Sequence, residues 1–320
     1  LNNLATAIQI RFRQRGDPLD IDEAVKLHRE ALELCPSPHP DRSTSLNNLA
    51  NGVQTRFQQR GDPSDIDEAV ELHREALALF PSPHPDRGSY FNNLATSIRV
   101  RFEQRGDPLD IDEAVKLHRE ALLLCPSPHP GRGKSLINLA TAIRCRFEQR
   151  GDPPDIDEAV ELHREALELC PSPHPDRGTS LNNLANAVQT RFQQRGDPSD
   201  IDEAIKLHQE ALFLRPSPHP DRGSSLNSLG NVLRTRFEQR GDPSDIDEAV
   251  ELYREALKLH PSPHHNHGTS LTNLANAVQT RFEQRGNPSD IDEAVKLYRE
   301  ALKLYPFPHA RHGMCLNNLA

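Results

Sequence analysis

Leu46-Asn47-Asn48-Leu49-Ala50 recurs along the whole chain at one constant spacing. Near-identical stretches begin at positions 1, 91, 136, 181, 226, 271 and 316, so each step is 45 residues. A fixed period of this size is typical of proteins built from stacked structural repeats. The 320 residues therefore form a single array without an internal domain boundary. Its repeats are 1–45, 46–90, 91–135, 136–180, 181–225, 226–270 and 271–315, and an eighth begins at 316–320.

The first half of each repeat has the apolar spacing of a helix. In the second repeat, apolar residues at steps of three and four fall on one helical face: Leu46, Leu49, Ala50, Val53 and Phe57. The sequence 60–63, Arg-Gly-Asp-Pro, ends this helix, because glycine forms a helix C-cap and a proline follows. Arg-Gly-Asp occurs six times, and we interpret it as this helix stop rather than as an integrin ligand.

A second helix follows in each repeat. We expect it to begin at Asp65, with Glu68 three residues later in the arrangement of a capping box. Leu72 and Leu79 widen its apolar stripe, so that it can pack on two sides. The proline-rich segment 81–85 ends it, because consecutive prolines cannot continue a helix. A single helix pair cannot bury both of its apolar faces, so the sequence predicts an all-α solenoid of stacked pairs.

These patterns resemble the tetratricopeptide (TPR) repeat. The residues that carry the resemblance are Leu49, Ala50, Ala69, Leu72, His73, Ala76, Leu77 and Pro81. The usual TPR unit has about 34 residues, and the extra residues of each repeat fall in or beside its loops. The Leu-Asn-Asn-Leu-Ala opening is similar to the TPRs of kinesin light chains, and the long repeat resembles fungal "aromatic di-alanine and TPR" proteins. The resemblance implies a right-handed α-solenoid whose first helices line a concave groove.

One asparagine position recurs along the expected groove. Every repeat except the sixth, which has Ser228, contains it: Asn3, Asn48, Asn93, Asn138, Asn183, Asn273 and Asn318. We call this set the asparagine column. Such residues resemble the ladders with which TPR proteins hold a peptide backbone, and a carboxamide can both donate and accept hydrogen bonds. The alternative is that these side chains bond neighbouring helix ends or water, or are copies left by recent duplication.

Two further rows lie on the same helices. One turn beyond the asparagine column, the first row has threonine in three repeats and asparagine in the others: Asn51, Asn186, Asn231 and Asn276. The second row has glutamine in four repeats and arginine in the others: Arg99, Arg144 and Arg234. We therefore expect a polar, nearly neutral groove in which the arginines favour an acidic peptide.

The 16 histidines and five cysteines form no recognisable metal or catalytic motif. His73 is replaced by Tyr253 and Tyr298 in the last two repeats, which indicates a packed ring rather than a zinc ligand. Histidines in successive loops recur once per repeat, and helices ~8–10 Å apart hold them too far apart to share one ion. Phosphate-binding loops, Cys-x-x-Cys pairs and nucleophile elbows are absent from the sequence. We expect no metal, no cofactor and no enzymatic activity.

Charge and hydropathy limit the classes of partner. The net charge of −9 disfavours nucleic acid, because phosphate binding requires a basic surface. No apolar run approaches the ~20 residues of a membrane-spanning helix, so we expect no membrane partner. The odd number of cysteines favours a reducing, cytoplasmic location. The chain has no initiator methionine and no polar capping helix, so we expect a fragment whose ends associate with each other or fray.

These inferences predict a scaffold that holds an extended protein or peptide segment in its groove. A function of another class is also open, because the similar fungal arrays often accompany a caspase-like CHAT domain or an NTPase module. The array would then be the regulatory or sensor arm of a larger CHAT-protease or NTPase signalling protein, whose active domain lies outside these residues.

Overall fold

The computed structural model describes residues 1–80, 84, 86–262 and 266–304. All regular structure in these residues is helical. The first helices of the pairs are α1 (Asn2–Arg15), α3 (Arg42–Arg60), α5 (Arg87–Arg105), α7 (Arg132–Arg150), α9 (Arg177–Arg195), α11 (Arg222–Arg240) and α13 (His267–Arg285). The second helices are α2 (Pro18–Glu33), α4 (Pro63–Ala78), α6 (Pro108–Leu123), α8 (Pro153–Glu168), α10 (Pro198–Phe213), α12 (Pro243–Leu259) and α14 (Pro288–Leu304). The predicted all-α fold of 45-residue helix pairs is confirmed, and the predicted start of an eighth repeat at 316–320 lies outside the described residues.

The helices form two compact units. Unit 1 contains residues 1–169 with α1–α8, and unit 2 begins at Cys170 and contains α9–α14. Within each unit, a second helix packs against the first helix of its own pair and against the first helix of the next pair. First helices also contact one another: α1 contacts α3 in unit 1, and α9 contacts α11 in unit 2. The first helices therefore form a layer within each unit, and the prediction of one uninterrupted array stays a prediction.

The apolar stripe that the sequence predicts for the first helix is buried. In α3 it consists of Leu46, Leu49, Ala50, Val53 and Phe57. Val25 from the preceding pair and Val100 from the following pair belong to the same apolar cluster as Leu49, Val53 and Phe57. Full burial of a side chain of this size contributes roughly 1.5–3 kcal/mol, and part of that contribution here comes from neighbouring pairs. Stability therefore depends on stacking.

The turn between the two helices of a pair is built from Gly61, Asp62 and Pro63. Gly61 has a φ of 72°, a left-handed conformation that glycine adopts without a steric penalty, and its N–H donates to the carbonyl of Phe57 at 2.7 Å. The equivalent glycines of all the described pairs share this positive φ. The interpretation of Arg-Gly-Asp as a helix stop is therefore confirmed.

The second helix begins two residues earlier than predicted, at Pro63 rather than Asp65. Its N-cap is Asp62, whose Oδ1 accepts a hydrogen bond from the backbone N–H of Ser64 at 3.0 Å. Proline suits the first helical position, because its φ is already helical and the amide hydrogen that it lacks has no partner there. The prediction that Asp65 caps this helix is wrong.

Asp65 instead joins the two helices of its pair. Nε and Nη2 of Arg56 donate to its two carboxylate oxygens at 2.8 and 2.6 Å. The hydrogen bond raises the pKa of the arginine, and Asp65 is only 4% exposed. The same ion pair occurs in every other described pair: Arg11–Asp20, Arg101–Asp110, Arg146–Asp155, Arg191–Asp200, Arg236–Asp245 and Arg281–Asp290. A two-point ion pair with a buried aspartate thus joins the two helices of each described pair.

Asp110→Ala tests this ion pair where it is buried. The variant removes the two hydrogen bonds of Arg101, whose side chain is 15% exposed, and leaves only the Asp67 carboxylate at 3.9 Å, and we expect the α5–α6 pair to lose about 3 kcal/mol. The matched change Asp20→Ala affects Arg11, which is 44% exposed and can be hydrated, so we expect a clearly smaller loss. Hydrogen exchange of the backbone amides in each pair measures the local stability. Equal losses in the two variants would contradict a role for burial.

Candidate peptide-binding face

The asparagine column lies on the layer of first helices in each unit. Its described members other than Asn3, which is exposed, are half-buried: Asn48, Asn93 and Asn138 in unit 1, and Asn183 and Asn273 in unit 2. The asparagines and arginines of the two flanking rows are half-buried as well: Asn51, Asn186, Asn231, Asn276, Arg99, Arg144 and Arg234. Residues three or four apart share a helix face. Each first helix thus presents a polar strip that is partly open to solvent.

Members of the asparagine column differ in their hydrogen bonds. Asn93 Nδ2 donates to Asn47 Oδ1 on the neighbouring first helix at 2.8 Å. Asn273 Nδ2 makes a longer contact of 3.5 Å with Asn227 Oδ1. Within the described residues, the carboxamides of the other half-buried members have no hydrogen bond. The column therefore contains both residues that join helices and residues whose donors and acceptors are available to a ligand.

The asparagines of the first flanking row also differ in their hydrogen bonds. The hydroxyl of Tyr253 donates to Asn231 Oδ1 at 2.7 Å, and the hydroxyl of Tyr298 donates to Asn276 Oδ1 at 2.6 Å. In the second repeat, by contrast, Asn51 accompanies a histidine in place of the tyrosine. The sequence carried a signal for these bonds, because each tyrosine follows its asparagine by 22 residues.

Each arginine of the second flanking row is already paired on its own helix. The partner is the glutamate four residues later, in Arg99–Glu103, Arg144–Glu148 and Arg234–Glu238. In the first of these pairs, the carboxylate is 47% exposed and the guanidinium 19% exposed. The arginines therefore add no unpaired positive charge to this face.

The asparagine directly before each column residue was missed by sequence reasoning. In the third pair its side chain makes two hydrogen bonds, whereas that of the column residue makes one. Asn92 Oδ1 accepts a hydrogen bond from Nδ1 of His118 at 2.9 Å, and Asn92 Nδ2 donates to Ser135 Oγ at 2.8 Å. The residue thus joins the second helix of its own pair to the first helix of the next. We call this set of three residues the His-Asn-Ser relay. The same relay consists of His28, Asn2 and Ser45 in the first pair and of His208, Asn182 and Ser225 in the fifth.

The histidines of the second helices are buried rings, as the sequence predicts. Desolvation lowers the pKa of His73, His163 and His208 to about 4 and that of His118 to about 3. In the fourth pair Ile137 replaces the relay asparagine, and Nδ1 of His163 has no hydrogen-bond partner among the described residues. The relay is absent from the second pair too, where Asn47 Oδ1 accepts from Asn93 and neither ring nitrogen of His73 has a partner among the described residues. The fourth pair, which lacks the asparagine itself, makes the relay testable.

Loop histidines have a separate, local role. Nδ1 of His129 accepts the backbone N–H of Gly131 at 3.0 Å. The rings at His39, His84, His174 and His219 bond the backbone two residues later in the same way. Across 1–80, 84, 86–262 and 266–304, no group of three or more His, Cys, Asp or Glu side chains is placed to hold a metal ion. Burial raises the pKa of the Cys145 thiol, which disfavours a nucleophilic thiolate.

None of the helices described above combines the length and the apolar character that crossing a membrane requires.

The chain matches the Sel1 repeat model at residues 1–34, 43–79, 133–169, 179–212, 224–260 and 270–305, about two thirds of its length. No curated protein matches it in sequence.

Solved structures show the same type of fold. A Podosopora anserina putative kinesin light chain with nearly identical TPR-like repeats is 26% identical to this chain, with a TM-score of 0.50 over 69% of this chain and 96% of that one. IFIT1 with Gppp-AAAA is 17% identical, with a TM-score of 0.64 over 93% of this chain and 58% of that one. Yeast Tom70 is 18% identical, with a TM-score of 0.52 over 94% and 58% of the two chains.

A reciprocal exchange tests the relay. Asn92→Ile leaves His118 Nδ1 and Ser135 Oγ without their partner, and we expect a loss of about 2 kcal/mol in the free energy of unfolding. Ile137→Asn gives His163 the partner that His118 has, and we expect a gain of about 1 kcal/mol. Urea-induced unfolding followed by circular dichroism measures both changes. A loss in both variants would show that the asparagine does not stabilise the buried histidine.

The buried histidines predict a loss of stability in acid. Their pKa in the folded protein lies below the unfolded value of about 6.5. The contribution of the neutral rings to the free energy of unfolding is therefore complete above about pH 6.5 and is lost as the pH falls toward about 4. In His73→Tyr the pH dependence should be weaker, because tyrosine does not titrate in this range. The new tyrosine has a hydrogen-bond acceptor, because Asn51 occupies the same position in the second repeat as Asn231, which accepts the Tyr253 hydroxyl in the sixth. Thermal midpoints between about pH 7.5 and 4.5 measure the effect, and the same slope in both proteins would refute it.

Proposed function

The chain belongs to the Sel1 repeat family, and we propose that it is a scaffold that binds an extended protein segment along the layer of its first helices. The asparagine column is the observation that carries this proposal. Its carboxamides occur once in every described repeat except the sixth, and those of Asn48 and Asn138 have no hydrogen bond among the described residues. A carboxamide can pair with both the N–H and the C=O of an extended backbone.

The paired arginines bear on the chemistry of the proposed segment. An acidic side chain would reach Arg99 only by displacing Glu103, which lies four residues away on the same helix. The preference for acidic peptides that the sequence predicts therefore has little support from these pairs. We propose instead that the segment is held mainly through its backbone, with a weak dependence on its own charge.

A protein segment remains the preferred partner over nucleic acid. IFIT1 is bound to Gppp-AAAA in its structure, but at 17% identity the likeness concerns the fold alone. The chain carries a net charge of −9, and binding to phosphates depends on a basic surface. The absence of a nucleic-acid partner stays a prediction.

Removing the column within unit 1 tests the proposal. Peptides are first selected on the intact polypeptide from a random display library, and their affinity is then measured for a variant with Asn48→Ala, Asn93→Ala and Asn138→Ala. Loss of three hydrogen bonds of about 1 kcal/mol each lowers the affinity about 100-fold. Helicity and the unfolding midpoint should change little, because Asn93 is the one of the three whose side chain has a hydrogen bond within the described part of the chain.

Two control variants separate binding from structure. Asn47→Ala removes the same bond between Asn93 and Asn47 and leaves the column intact, so the affinity should be retained. A triple variant of exposed residues on the second helices, with Lys26→Ala, Glu71→Ala and Lys116→Ala, should also retain it. The proposal fails if the column variant binds normally, or if Asn47→Ala loses as much affinity as the column variant.

A further inference from the structure

Arg215 is a buried arginine whose nitrogens bind hydroxyls rather than a carboxylate. It lies in unit 2, in the loop between α10 and α11, and is 6% exposed. Its Nη1 donates to Ser225 Oγ at 2.7 Å, and its Nη2 donates to Thr179 Oγ1 at 2.9 Å. The carboxylate of Asp221 is 3.8 Å from Nη2, beyond hydrogen-bond distance, and its side chain is 58% exposed.

This setting leaves the charge of Arg215 poorly compensated. Burial lowers its pKa, because a charged group loses hydration in the protein interior. In the same helix pair, Arg191 binds both carboxylate oxygens of Asp200 at 3.0 and 2.7 Å. A buried cation is stable when an anion binds it with good geometry, and the hydroxyls that contact Arg215 carry no charge.

Thr179 is the exposed one of the two hydroxyl partners. It is the third residue of α9, where the helix dipole favours negative charge. Gly178 precedes it, and a Cβ at that position would lie 3.2 Å from Nε of Arg215. Glycine at this point thus leaves room for the guanidinium next to the Thr179 hydroxyl.

We propose that Thr179 is a phosphorylation site and that Arg215 binds its phosphate. A protein kinase would transfer the γ-phosphoryl group of a nucleoside triphosphate to Thr179 Oγ1. A phosphorus–oxygen bond to Thr179 forms, the bond to the nucleoside diphosphate breaks, and the hydroxyl proton goes to the general base of the kinase. The phosphate carries about −1.5 to −2 charges at neutral pH, and charge-assisted hydrogen bonds replace the neutral contact at Nη2.

The modification would join the first turn of α9 to the loop that follows α10. Because these two segments open and close the fifth helix pair, the pair would become harder to open locally. Phosphorylation would thus stabilise one chosen helix pair in unit 2. Asp176 and Asp221 are the nearby negative charges that oppose the effect.

The repeats supply a matched control. Ser89 occupies the position of Thr179 in the third helix pair and is also exposed, but Cys125 occupies the position of Arg215. A phosphate on Ser89 would therefore lie at the same place in the helix without an arginine opposite. Arg215→Cys introduces into the fifth pair the residue that three other repeats have at this position.

Phosphorus-31 NMR of the full chain tests the proposal, with phosphothreonine incorporated genetically at position 179 or phosphoserine at position 89. The second pKa of a free phosphomonoester is about 6. The helix dipole acts on the phosphate at both positions, so we expect the pKa at position 179 to lie about 0.5 or more below that at position 89, and this difference to disappear in Arg215→Cys. Hydrogen exchange in the first turn of α9 should slow at the same time. The same titration with and without Arg215, or faster exchange after phosphorylation, would overturn the proposal.

Access to the site is tested separately. The folded chain is incubated with ATP and with serine/threonine kinases that select arginine before the acceptor, since Arg177 lies two residues before Thr179. Mass spectrometry should locate phosphate at Thr179. A folded chain that is not modified there would also overturn the proposal.

Discussion

Each helix pair has an apolar face that only the next pair can cover. Val25, Leu49, Val53, Phe57 and Val100 come from three successive pairs and form one cluster. Because the faces between pairs are occupied by this packing, a ligand has access to the outside of the stack, either on the first helices or on the second. The layer of first helices is the one that presents uncharged carboxamides, whereas the outer arginines of the second helices bind glutamates of the following pair, as Arg29 binds Glu68.

Two adjacent asparagines have different environments because successive residues of a helix point in different directions. Asn92 is buried and bonds His118 and Ser135. Asn93 is half-buried and bonds only one neighbouring carboxamide. A buried carboxamide without its partners would be costly, so the first asparagine is explained by folding alone. The column position has no equally strong structural reason to be asparagine, since Asn48 and Asn138 have no side-chain hydrogen bond among the described residues. This difference is the reason to interpret the column as a binding feature.

The sequence predicts the helix pairs well, because period, apolar spacing and helix stops are local properties of the chain. It predicts the start of the second helix less well, since Asp62 and Asp65 are both acceptable caps and only the tertiary pairing of Arg56 with Asp65 selects between them. The contacts of the candidate face were mostly missed. The His-Asn-Ser relay joins residues 26 and 43 positions apart, and helical spacing within one segment contains no information about such contacts. Duplication adds a second difficulty, because nearly identical repeats conceal which of their residues are required.

The repeats that differ are therefore the most informative ones. Where the second flanking row has arginine, the residue four positions later is glutamate, as in Arg99–Glu103 and its two equivalents. Where the row has Gln54 or Gln189, that residue is also glutamine. In these five repeats the two positions change together and their charges cancel, whereas Gln9 with Arg13 leaves one positive charge and Gln279 with Glu283 one negative charge. A face that selected its ligand by charge would gain from an unpaired arginine, whereas a face that reads a backbone gains from neutrality. The pattern of exchange thus favours backbone recognition for the same reason as the carboxamides of the column do.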